Sequence, residues 1–76
     1  MVKRLVTAEE LESFLMLGAK KITECEGLSG VTILSIDDGR VPYNWTVSQI
    51  HDGSPMCRIA IDNMVEGMQL IFDLKT

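Results

Sequence analysis

The chain is short of nearly everything that announces chemistry. Its 76 residues hold one histidine, two cysteines, one tryptophan, one tyrosine, two phenylalanines and two prolines. Cys25 and Cys57 are too few and too far apart for a disulfide framework or a recognisable zinc spacing. Basic residues number 7 against 11 acidic ones, a net charge of −4. No stretch gathers enough Lys and Arg to neutralise a run of phosphates, which argues against nucleic acid and anionic membranes as partners. No apolar run approaches the length needed to span a bilayer. The opening MVKRLVTAEE has a basic pair but no apolar segment behind it, so neither a signal nor a transit peptide is expected. The expectation is a cytoplasmic protein with reduced thiols. Gly-rich phosphate loops, paired carboxylates and nucleophile elbows are also missing, so no enzymatic activity, cofactor or metal is expected.

What is present reads as one small globular domain. Hydrophobic residues make up 46% and charged ones 24%, outside the disordered range. A chain of this length buries only about 60% of its unfolded surface and gains much from outside support.

The strongest pattern lies at the end, from Ser54 to Leu74. Ser54 suits an N-cap and Pro55 the first helical position, where a missing N–H costs nothing. At about 100° per residue, Cys57, Ala60, Ile61, Met64, Val65, Met68, Ile71 and Phe72 share one face. Arg58, Asp62, Glu66, Gln69 and Asp73 gather opposite. A competing hairpin would use the alternation in Cys57–Asp62 and in Leu70, Phe72 and Leu74, but it forces Met64 and Val65 into a turn. The helix over 54–74 is the better reading.

Upstream, Thr7 and Glu10 form a capping box, with Val6 and Leu11 as its hydrophobic staple. Ala8, Leu11, Phe14, Leu15, Gly18, Ala19, Ile22 and Cys25 then line one helical face as far as Gly27, which is a natural stop. Met16 and Leu17 fall off that stripe. Val31–Asp37 is β-branched and apolar, with Val31 and Ile33 on one side and Leu34 and Ile36 on the other. Asp37-Asp38-Gly39-Arg40 and Pro42 supply turn chemistry. Tyr43–Ile50 alternates, with Tyr43, Trp45 and Val47 facing one way. Residues 2–6 form either an edge strand or a lead-in. The order helix, strand, strand, helix predicts an α+β domain spanning 1–76: a two-layer α-β-β-α arrangement with both helices on one face of an antiparallel hairpin.

The strand Asn44-Trp45-Thr46-Val47 follows a capped helix ending in Glu24-Cys25-Glu26-Gly27 and the strand Val31-Thr32-Ile33. It precedes a terminal helix closing in Phe72-Asp73-Leu74. This pattern resembles a group of short, uncharacterised bacterial proteins with an Asn-Trp second strand and a last helix closing in an aromatic-Asp/Asn-Leu tail. The resemblance supports the terminal helix and implies no activity and no catalytic residues.

Among side chains that might act, His51 beside Asp52 has the makings of a general base or a ligand. Asp37 and Asp38, its other conceivable partners, belong at the far end of the hairpin, so a solvated loop histidine is expected. Cys25 and Cys57 lie on apolar stripes, and Glu24 and Glu26 flank Cys25, so buried structural thiols are expected. Tyr43, Asn44 and Trp45 are the one polar-aromatic cluster. Trp45 reads as a core plug, with a ligand-binding edge as the alternative. A two-stranded sheet leaves Leu34 and Ile36 uncovered, and a second apolar strip, Met56, Ile59, Leu70 and Leu74, runs off the main face of the last helix. These six positions form the expected interface of a homodimer, acting as a protein-interaction module with an unidentified partner.

Overall fold

The computed structural model describes residues 3–75. Its elements are β1 (Arg4–Val6), α1 (Ala8–Ala19), a 3-10 turn (Thr23–Cys25), β2 (Gly30–Ser35), β3 (Trp45–His51), α2 (Pro55–Ile71) and β4 (Phe72–Leu74). The class is α+β, with β2 and β3 antiparallel and β1 and β4 parallel.

Both helices start where their capping residues place them. Thr7 Oγ1 accepts from Glu10 N, and Glu10 Oε1 accepts from Thr7 N, each at 3.1 Å. Ser54 Oγ accepts from Cys57 N at 3.2 Å, with Pro55 in the first turn. Their ends depart from expectation. α1 stops at Ala19 instead of continuing to Gly27, because Ile22 is extended and the chain tightens into the 3-10 turn. α2 stops at Ile71 instead of Leu74, because Phe72 is extended (φ −123°, ψ 140°) and opens β4. The spacing of Leu70, Phe72 and Leu74 was thus a strand signal for its last two members only. β4 pairs with Arg4–Val6, so the lead-in is a strand; residue 2 of the expected span lies outside the described residues.

A bulge sets the register of the hairpin. Thr32 pairs with Gln49 and Ile33 with Val47, leaving Ser48 as the extra residue on β3. The bulge lets Val47 and Ile50, three residues apart, both turn inward with Val31 and Ile33. The other face carries Thr32, Leu34, Thr46 and Gln49, which is mostly polar. The two helices cover the inner face, and Leu11, Leu15, Trp45, Ile61 and Val6 are fully buried between the layers. Gly18 allows the close approach of α2, since a Cβ there would collide with Met64 Cε. Phe14 of α1 stacks on Phe72 of β4 with ring centroids 5.4 Å apart.

Cys25 and Cys57 form a disulfide, which corrects the expectation of two free thiols. The expectation rested on a reducing compartment; Cys25 sits in the 3-10 turn, where its Cα lies 4.9 Å from that of Cys57 in the first turn of α2. Closing a loop between residues 32 apart stabilises the fold by about 3 to 4 kcal/mol through the unfolded chain. That is a large share of what a domain this size can hold.

Candidate functional site

The Asn44–Trp45 cluster is a structural clamp. Trp45 is 0% exposed, and its indole Nε1 donates to Phe72 O at 3.0 Å. Asn44 Nδ2 donates to Leu74 O at 2.9 Å, and Asn44 Oδ1 accepts from Leu74 N at 2.8 Å. The side-chain amide therefore imitates a neighbouring strand and holds β4 in place. Gln69, expected on the solvent arc of the last helix, is instead buried, and its Nε2 donates to Trp45 O at 2.7 Å. Tyr43 is half-buried beside them. The polar groups of Asn44 and Trp45 are thus engaged inside the chain. Sequence reasoning missed Gln69 because helical periodicity records an angle and not what packs against it.

His51 and Asp52 do not act on each other. His51 Nε2 lies 2.8 Å from Thr32 Oγ1 across the hairpin. Asp52, in the left-handed region at φ 61°, accepts from Ser29 Oγ at 2.7 Å through Oδ2. The carboxylate that could orient the imidazole is occupied by a serine. Asp38 sits at the opposite end of the hairpin, as the spacing implied. Arg40 donates to it from Nε at 3.1 Å and from its backbone N at 3.0 Å. These two bonds, the side-chain one foremost, hold the Asp38 carboxyl below its ordinary pKa. Among the described residues, no group of three or more His, Cys, Asp or Glu is placed to hold a metal ion.

The six expected interface positions divide. Leu74 is buried in β4 and leaves the set. Ile36 lies beyond the end of β2, half-buried, its N–H bonded to Asn44 O at 2.8 Å. Leu34 is exposed, but on a face otherwise occupied by threonines and a glutamine. Met56, Ile59 and Leu70 are 60%, 57% and 74% exposed on α2. By helical geometry they share an arc of about 80° with Asn63 and Gly67. Ile71, assigned to the core stripe by its spacing, is 55% exposed at the end of the same helix. None of the described residues covers this strip, which runs about 21 Å along the helix.

No family model, curated protein or solved structure matches the chain. Among the described residues, no helix is long and apolar enough to cross a membrane.

Proposed function

We propose that the protein is a non-enzymatic interaction module that works as a homodimer, pairing through the outer strip of α2. The observation that carries this reading is the exposure of Met56, Ile59 and Leu70 on one helical face. The strip is close to self-complementary under a twofold axis. Ile59 and Leu70 lie nearly equidistant from a centre between Asn63 and Gly67, so antiparallel helices would set Ile59 of one copy against Leu70 of the other. A Cβ built at Gly67 would meet nothing within 4 Å, so the position leaves room for a close approach. Such pairing would add buried apolar surface to a domain that has little to spare. The polar outer face of the hairpin disfavours the alternative, a dimer formed sheet to sheet through Leu34 and Ile36. The Cys25–Cys57 disulfide favours an oxidising compartment over the reducing cytoplasm expected from the sequence.

Light scattering at about tens of micromolar tests the proposal, since standard interfaces are that tight or tighter. The expected mass is twice 8.5 kDa. Ile59→Glu or Leu70→Glu should return the monomer, and Leu34→Lys should not. A monomer mass for the unaltered chain ends the proposal, and dissociation by Leu34→Lys alone moves the interface to the sheet.

A further inference from the structure

The two sulfurs of the disulfide occupy unequal positions. Cys57 is 0% exposed, whereas Cys25 is 5% exposed and lines a cavity of about 300 Å³ with Met16, Ile22, Leu28, Lys20 and Glu26. Cys25 therefore borders space that a small molecule can enter, and Cys57 does not border it. Their backbone settings differ as well. Cys57 is the third residue of the 17-residue helix α2, and its own N–H is bonded to the Ser54 cap. Cys25 lies at the end of a three-residue 3-10 turn between Glu24 and Glu26.

We propose that Cys25 is a site of reversible thiol–disulfide exchange with small, low-molecular-weight thiols, and that Cys57 is the leaving group. The incoming thiolate forms a bond to Cys25 Sγ while the Cys25–Cys57 bond breaks. The electron pair of that bond stays on Cys57 as thiolate. One disulfide replaces another, so no external oxidant is needed. Attack of Cys57 on the mixed disulfide expels the small thiol and restores the bridge. With the bridge open, the turn at Thr23–Cys25 stays joined to the start of α2 through the bond from Ser54 Oγ to Glu24 O at 2.9 Å. The exchange therefore changes the tie between these two segments and places the adduct in the cavity.

The test uses the whole oxidised chain and glutathione as the probe. After partial reaction and acid quench, free thiols are blocked with N-ethylmaleimide and each cysteine is read by peptide mass spectrometry. Glutathione should sit on Cys25 and maleimide on Cys57, in excess over the reverse pattern by about tenfold or more, given the rate dependence on access. Equal labelling, the signature of exchange through unfolded molecules, overturns the proposal. So does a preference for Cys57, the absence of any adduct across the accessible glutathione range, or alkylation of both cysteines before any thiol is added.

Discussion

Replacing Asn44 by Ala isolates the clamp on β4. The change removes two hydrogen bonds, to Leu74 O at 2.9 Å and from Leu74 N at 2.8 Å, while leaving the Trp45 indole bond to Phe72 O in place. Each such bond contributes about 1 kcal/mol net, and more where the abandoned partner cannot reach water. Leu74 is only 8% exposed, so its freed N–H and C=O are poorly hydrated. A loss of about 2 to 3 kcal/mol is expected, equivalent to a fall in Tm of about 8 °C or more for a domain this size. Urea unfolding gives the free energy, and hydrogen exchange gives the location, since the Leu74 amide should lose its protection. A chain ending at Phe72 supplies the control: there Asn44→Ala has no partner to lose and should have little further effect. A loss below about 0.5 kcal/mol, the scale of an ordinary surface change, with the Leu74 amide still protected, would refute the clamp.

Gln69→Ala should destabilise by about 1 to 3 kcal/mol, because it leaves the Trp45 carbonyl without its donor in a buried setting; denaturant unfolding reads this directly. Gly67→Ala should stabilise the protomer by about 1 kcal/mol, since the position is interior to α2 and a Cβ meets nothing within 4 Å. That gain is best measured at high dilution, where the proposed pairing through the same face does not contribute. Asp38 has its folded pKa lowered by Arg40. Its contribution to stability is therefore present above the ordinary carboxylate range and fades as pH falls through the folded pKa. The carboxyl titration seen by NMR should move back up in Arg40→Gln and, because the pair is solvent-accessible, in about 1 M salt.

The local signals were legible where a single side chain decides an outcome. Thr7, Glu10, Ser54 and Pro55 each mark a helix start through a bond or a missing donor within three residues, and each does so in the structure. The helix ends were not legible, because they depend on partners far along the chain. Periodicity carried α1 on to Cys25 and α2 on to Leu74. The fold instead stops α2 where Asn44 and Trp45 take hold of the following residues, which are 30 and 27 positions away. The disulfide was missed for a different reason: the expected reducing compartment argued against a bridge between two cysteines that both lie on apolar faces. Asn44 and Trp45 were noticed as a pair, but their polar groups have to be followed to β4 before their role shows.

The parallel pairing of β1 with β4 has a consequence for how the chain is made. Arg4 pairs with Phe72 and Val6 with Leu74, so β1 waits for β4, made 66 or more residues later. Translation runs at about 5–20 residues per second, so this wait lasts seconds, far longer than helix or hairpin formation. During that time Val6 and the Trp45 indole have no partner, and α1 has only part of the surface it is to cover. The domain therefore completes its folding only once β4 has been made, in one late closing step that joins β1 to β4.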